Sequence, residues 1–420
     1  GSSHFGSSSS RASSSHLPSE APQMPTIADL ASLLEKLDAP QRADVERVLR
    51  IEELEGHGEV PEPFRAKVAR WCGGEDALSQ AWKRVECQHV ISVHNLWTFE
   101  TANFNVLRAS RPVAGRGNGH RQTPDEIAKS CEGPGLCDFC ELERLTCVEP
   151  FGRIHGRHCM SAGNAFKSSG LHGLIIWTRH APHRLTPEEV SDGFQAADLW
   201  FERALAWDTT QGSGRARHPV MFWNCFRGAG ASQIHPHMQL QLFGGPVAQG
   251  ALLLEQSKRY GQSRKGGELC RDFILAHDHL GLALTADTLR ARCGTGVFAC
   301  WASLTPRVGG GELCALEDSA SVDESDSRPR LARLGLAVAL MQSALQRCGA
   351  EAISVVAFQV PSGGDGRKGW FVRCTNRGEA APSVVDAGSS EIGGLVGAWR
   401  DPYALIEALR AELVAPASRP

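Results

Sequence analysis

The sequence predicts an α/β chain of two halves, each mixing antiparallel strands with helices, behind a small N-terminal helical prefix. Three observations predict it. Apolar residues between positions 25 and 88 recur at three-to-four spacing. From His89 onward, short alternating or wholly apolar runs bounded by Gly and Pro replace that pattern. The order strand, helix, strand, strand then occurs twice, although no repeat of residues is visible. With 420 residues, 42% hydrophobic and 22% charged, the chain has the composition of an ordinary globular protein. No apolar run approaches the roughly 20 residues that a membrane helix needs. Lys plus Arg total 44 against 47 Asp plus Glu, a formal charge of -3, so no basic field attracts nucleic acid or anionic lipid. An anionic ligand must be held by a local site.

The first nineteen residues hold ten serines and one arginine without an acid, and residues 1–24 are expected to be a disordered tail. It reads equally as an expression remnant or as the end of an organelle transit peptide, so the expected compartment is the cytoplasm or a plastid or mitochondrion. In the prefix, 25–88, Ile27, Leu30, Leu33, Leu34 and Leu37 form a helical stripe behind a Thr26 cap, continued by Val45, Val48 and Leu49. Pro61 and Pro63 interrupt before a second helical stretch near Phe64 to Trp82.

The first half, 89–250, begins with a strand at Asn103 to Leu107, closed by the positive pair Arg108 and Arg111 before Pro112. Gly115 to Thr123 is a polar loop. Leu174 to Trp177 is a buried strand, and Thr186-Pro187-Glu188-Glu189 caps a helix through Leu205. Pro219 to Trp223 and Ile234 to Phe243 are strands joined by a Gly-rich turn. The second half, 251–420, has strands at Val297 to Leu304 and Glu312 to Leu316, a helix from Leu331 to Arg347, and strands at Ile353 to Val360 and Trp370 to Cys374.

Chemistry concentrates in Asn224-Cys225-Phe226-Arg227-Gly228-Ala229-Gly230-Ala231-Ser232-Gln233-Ile234-His235-Pro236-His237-Met238-Gln239. Read as a strand, its period of two places His235, His237, Gln239 and Gln241 on one face and Ile234, Met238 and Leu240 on the other. Two imidazoles on one face let one bind a metal while its neighbour points at a reacting group. The small residues 228–231 allow backbone N–H groups and the Ser232 hydroxyl to approach a phosphate. A solvated polar strand edge is the competing reading. The second signal is Cys137-Asp138-Phe139-Cys140 after a Gly-Pro-Gly turn, which suits two zinc thiolates, a redox dithiol or two unrelated buried cysteines. His180 or His183, together with His235, would complete a zinc site, with Cys131 and Cys147 as substitutes. The remaining cysteines among the 14 are expected to be reduced core or surface residues.

Taken together, Arg-x-x-Arg-Pro, Cys-x-x-Cys, a strand ending in His, and Asn-x(7)-Ser-x-x-His-Pro-His-x-Gln resemble the galactose-1-phosphate uridylyltransferase family of the histidine-triad superfamily. That group includes relatives that phosphorolyse dinucleoside polyphosphates and ADP-sugars. The resemblance covers roughly Asn103 to Arg410 and implies two histidine-triad-like repeats with antiparallel sheets flanked by helices. It implies that His237 is the nucleophile that carries a nucleotidyl group, and that Gln239 bonds the transferring phosphoryl oxygens. Asn224, Ser232, Arg108 and Arg111 would hold the phosphates, and Cys137, Cys140, His180 and His235 a structural zinc, with His183 the alternative third ligand. A zinc-bound imidazole has given its lone pair to the metal, which agrees with separate roles for His235 and His237.

The resemblance implies transfer of a nucleoside monophosphate from a nucleoside diphosphate sugar to a hexose 1-phosphate or phosphate, as in galactose metabolism. A dinucleoside polyphosphate phosphorylase and an inactive structural subunit of a larger assembly are the alternatives. The implied partner is a small phosphorylated molecule, with a homodimer or a larger assembly as the quaternary options. The second half departs from the family. Gly369-Trp370-Phe371-Val372-Arg373 stands where the family has His-Trp-His-hydrophobic-Glu. His277 and His279 fall in a helix or linker and are expected to bind no metal.

Overall fold

The computed structural model describes residues 24–105, 107–108, 121–318, 326–361, 368–381 and 393–415. Residues 1–23 of the expected disordered tail, residues 115–120 of the expected polar loop, and Arg111 lie outside them. No helix among the described residues is long and apolar enough to cross a membrane.

Thirteen strands form two sheets among the described residues. The smaller contains β1 (Leu49–His57), β2 (Cys87–Asn95), β3 (Thr101–Phe104) and, from the far end of the chain, β13 (Leu395–Ala398), in that order. The larger has nine strands: β4 (Cys159–Gly163), β5 (Leu171–Trp177), β6 (His218–Cys225), β7 (His237–Phe243), β8 (Ala283–Thr285), β9 (Val297–Ala302), β10 (Glu312–Glu317), β11 (Ile353–Pro361) and β12 (Lys368–Asn376). Their spatial order is β4-β5-β7-β6-β11-β12-β10-β9-β8, antiparallel throughout.

That order contains an internal duplication. β4-β5-helix Pro187–Thr210-β6-β7 lies in space as 4-5-7-6, and β9-β10-helix Arg330–Arg347-β11-β12 lies as 9-10-12-11. The halves join edge to edge through β6 and β11, so one sheet is built by local two-fold symmetry. The two helices cover one face and approach closely at Gly335, where an added Cβ would stand 2.8 Å from the Ser191 Cα. The Ser191 hydroxyl donates to the Ala332 carbonyl across that contact (2.9 Å). Trp177 and Trp223 stack beneath them with centroids 4.6 Å apart. The opposite face carries His237, Gln239 and Gln241, because cross-strand partners share a face. Ile176 lies opposite His237, Leu174 opposite Gln239, and His172 opposite Gln241.

Three local expectations change. The 25–88 stretch is not wholly helical: helices Leu30–Lys36 and Ala39–Val48 lead directly into β1, and only then does helix Glu62–Trp71 follow. Leu49-Arg50-Ile51-Glu52-Glu53-Leu54-Glu55 is rich in helix formers, but full pairing with β2 overrides that propensity. The expected strand at Asn103 starts two residues earlier and ends at Phe104. Finally, β7 begins at His237, so His235 lies in the bend before it. Pro236 has no N–H for the ladder.

At the equivalent place the second half has a buried ion cluster. A two-fold through the Phe222–Val356 pair carries His237 onto Phe371 and Gln239 onto Arg373. Arg373 donates to Glu312 (2.7 Å) and to Glu100 (2.8 Å), and Arg307 also reaches Glu100 (2.9 Å). Burial pushes the Glu312 carboxyl up, which the Arg373 charge opposes. Because Glu100 precedes β3, this cluster locks the small sheet to the large one. Arg373→Ala leaves two buried carboxylates short of a counter-charge and is expected to cost about 3 to 5 kcal/mol, read from the urea midpoint.

Candidate active site and metal centre

Four donor atoms converge where β5 ends and β7 begins: Cys137 and Cys140 Sγ with His180 and His235 Nδ1. All lie within 4.8 Å of one another. A left-handed turn at Gly133 (φ 107°) and Gly135 (φ 78°) sets the cysteine loop. Its hairpin is closed by Cys137 N–H to the Gly133 carbonyl (3.1 Å) and Cys140 N–H to the Cys137 carbonyl (3.0 Å). Tetrahedral zinc, with bonds of about 2.0 to 2.3 Å, separates neighbouring donors by about 3.3 Å for two nitrogens and about 3.6 Å for sulfur and nitrogen. The chain places His180 and His235 Nδ1 3.1 Å apart, Cys140 Sγ 3.3 Å from His180, and each cysteine 3.6 Å from His235. The donor set therefore fits zinc before any metal is added. Burial lowers the His235 pKa to about 4, keeping the imidazole neutral as a ligand requires.

His235 is tied at three points. Its Nδ1 faces the cluster, its Nε2–H donates to the Trp177 carbonyl (2.6 Å), and its own carbonyl accepts from His237 Nδ1–H (2.9 Å). His237 is only 8% exposed. With Nδ1 anchored as a donor, its lone pair resides on Nε2, which makes no hydrogen bond among the described residues. Burial lowers its pKa below the ordinary imidazole value. Phe139, between the two cysteines, packs edge-on against His235 (5.9 Å) and His237 (5.3 Å), so one loop both supplies thiols and braces the imidazole.

Gln239 follows on the same face. Ser168 N–H donates to His172 Nδ1 (3.1 Å), which leaves the ring proton on Nε2; that nitrogen lies 3.1 Å from Gln239 Oε1, to which it donates, and 3.0 Å from the side-chain amide of Asn164. The Gln239 amide NH2 group is thereby left as the free donor. Neither Phe139 nor His172 was singled out from the sequence. The signal for His172 was its alternation with Leu174 and Ile176 along a strand.

His183 is not part of the cluster. Its Nε2 bonds Asp125 (2.8 Å) and its ring lies against Phe226. Cys131 Sγ faces the Ile127 and Ala128 carbonyls and, of the cluster, reaches the far nitrogen of His180 (3.5 Å), and Cys147 is exposed. None of the 14 cysteines is in a disulfide. His277 uses both ring nitrogens internally, on the Phe273 carbonyl and the Leu304 N–H, and His279 faces Asp44.

The phosphate turn differs from expectation. The N–H groups of Gly228, Ala229, Gly230 and Ala231 are all spent on carbonyls of Ala380, Phe226, Arg227 and Phe226. A helical turn closed on itself cannot also cradle an anion through those amides. What the segment presents is the exposed Ser232 beyond it and half-buried Asn224 at the end of β6. Arg108 is exposed, with its guanidinium against Gly397 of β13. A separate cavity of about 400 Å³ at the other end of the β6–β11 pair, between His218, Lys258, Leu316 and Val360, touches none of these residues.

No protein-family model matches the chain, and no curated protein does. Solved structures do. The ADP-glucose phosphorylase of Arabidopsis thaliana with bound ADP-glucose is 15% identical, with 74% of this chain and 94% of that one covered and a TM-score of 0.51. A uridylyltransferase is 14% identical over 77% of this chain and 98% of its own, with a TM-score of 0.47. A GalT-like protein from Arabidopsis thaliana is 16% identical over 65% and 91%, with a TM-score of 0.45. The chain has the fold of that ADP-glucose phosphorylase, the two-half α/β arrangement of antiparallel strands and flanking helices that the sequence resemblance implied.

Proposed function

We propose that the chain is a nucleotidyltransferase that moves a nucleoside monophosphate from a nucleoside diphosphate sugar to phosphate or a hexose 1-phosphate through a nucleotidyl-His237 intermediate. The carrying observation is the His237 imidazole, fixed at Nδ1 by the carbonyl of His235 with its Nε2 lone pair left free. Nε2 attacks the α-phosphorus, the N–P bond forms, and the bond from that phosphorus to the bridging oxygen breaks. The leaving sugar phosphate takes the electron pair. An acceptor phosphate oxygen then attacks the same phosphorus, releases the new nucleotide and returns the lone pair to Nε2. Gln239 NH2 donates to the phosphoryl oxygens, where the charge of the transition state gathers. Asn224, Ser232, Arg108 and Arg111 serve the remaining phosphate oxygens. A metal bound by Cys137, Cys140, His180 and His235 supplies rigidity to the loop that positions His237. The ADP-glucose in the Arabidopsis thaliana structure supports a nucleotide sugar as donor.

The test is to incubate the protein with α-phosphate-labelled UDP-glucose, ADP-glucose and diadenosine tetraphosphate separately, and to count acid-labile label on protein. Label from a nucleotide sugar is expected. Label from the dinucleotide alone makes the protein a dinucleoside polyphosphate phosphorylase, and none from any donor leaves the inactive-subunit reading. Burial sets the pH dependence. A depressed His237 pKa keeps Nε2 unprotonated above that value, so labelling should hold as pH falls through 6.5 and decline only below it. Loss of labelling with a midpoint above 6.5 contradicts the buried imidazole as nucleophile.

A further inference from the structure

The paired ends of β1 and β2 bring together a second set of metal donors that the reaction does not use. In their antiparallel register His57 lies opposite Cys87 and Glu55 opposite His89. Cross-strand partners share a face, and so do residues two apart on a strand, so these four side chains form a two-by-two array on one side of the ribbon. Donor atoms of Glu55, His57 and Cys87 lie within 4.8 Å of one another, and His57 Nε2 stands 3.3 Å from Glu55 Oε2. All four residues are exposed, so none is held there by core packing. Cys87 is also one of only two exposed cysteines in a chain whose other twelve are buried or half-buried.

We propose that Glu55, His57 and Cys87, with His89 as the fourth donor, bind a divalent transition metal of the zinc class. One thiolate, two imidazoles and a carboxylate suit a tetrahedral zinc-like ion and not calcium or magnesium, which take oxygen donors. Binding replaces the Cys87 thiol proton, which leaves to solvent, by a sulfur–metal bond.

The location gives the site its role. β1 ends at His57 and β2 begins at Cys87, so residues 58–86 leave and re-enter the fold between these two ligands. That excursion is built around its own small cluster of Val60, Val68, Ala69 and Trp82, separate from the main core. Its neck is otherwise closed by Gly58 N–H to the Glu86 carbonyl (3.0 Å) and Val60 N–H to the Glu86 carboxylate (2.9 Å). A metal across His57 and Cys87 staples the neck and shields the excursion from local opening.

The experiment is metal counting on the full chain after zinc reconstitution and desalting, followed by limited proteolysis with and without zinc. Two equivalents per chain are expected in the parent protein. His57→Ala and Cys87→Ser should each lose one equivalent while keeping the parent circular dichroism, because both side chains are exposed. Cleavage within 58–86 should slow about tenfold with zinc in the parent protein and be unaffected by zinc in either variant. One equivalent in the parent, retention of the second equivalent in either variant, or cleavage indifferent to zinc overturns the proposal. The site lies on the small sheet, so nucleotide labelling of His237 stands or falls separately.

Discussion

His237→Ala is expected to abolish label transfer from a nucleotide sugar, lowering turnover by about 10⁴-fold or more, since the imidazole that would hold the nucleotidyl phosphorus is removed. The neighbouring imidazoles cannot substitute. His235 has its Nδ1 in the donor cluster and its Nε2–H on the Trp177 carbonyl, and His172 has given its free nitrogen to the Ser168 N–H. The structural loss is small by comparison: one hydrogen bond to the His235 carbonyl and the contact with Phe139, together about 1 to 2 kcal/mol. The variant should fold and keep its metal, so the measurement is acid-labile protein-bound label at equal circular dichroism and zinc content. Equal labelling of His237→Ala and parent excludes His237 as nucleophile.

Cys137→Ser should remove one equivalent of zinc and lower the melting temperature by about 10 °C. Loss of the ion leaves two imidazole nitrogens 3.1 Å apart in a pocket that Cys137, at 4% exposure, helps seal. Activity falls with it by about 10- to 100-fold, the usual effect of losing a support that orients a reacting group. The route is specific. Without the ion His235 can turn, its carbonyl no longer fixes His237 Nδ1, and the tautomer that exposes the Nε2 lone pair is no longer enforced. Metal analysis, thermal melting and labelling should therefore move together. A variant that retains parent melting and labelling shows that these four donors do not organise the site.

Much of this was legible in the residues. The alternation from Ile234 to Phe243, the Thr186-Pro187 cap and the apolar run ending at Trp177 each specify a local geometry, and each element formed, although the first strand starts only at His237 and the last already at Leu171. The reason is that period and capping are short-range properties. Cys137-x-x-Cys140 likewise offered two candidate metal donors, because a single tight turn suffices to bring two thiols together. β1 misread as helix because its Leu, Glu and Arg residues favour a helix when taken alone. Only the pairing from Leu49 opposite Asn95 to His57 opposite Cys87 makes them a strand.

By itself, then, the sequence determined the periodic elements, the chemical types at the site and the confinement of any anion to a local pocket in a chain of charge -3. It left open which histidine, His180 or His183, completes the cluster, since only two residues of chain separate them and either could turn inward. The tertiary structure decided that by pointing His183 at Asp125. It also decided that the glycine turn spends its amides internally, that Phe371 and Arg373 replace His237 and Gln239 across the two-fold, and that Glu55, His57, Cys87 and His89 share one face. Each of these depends on which strand lies beside which, a long-range arrangement fixed by burial over the whole core and not by any local run of residues.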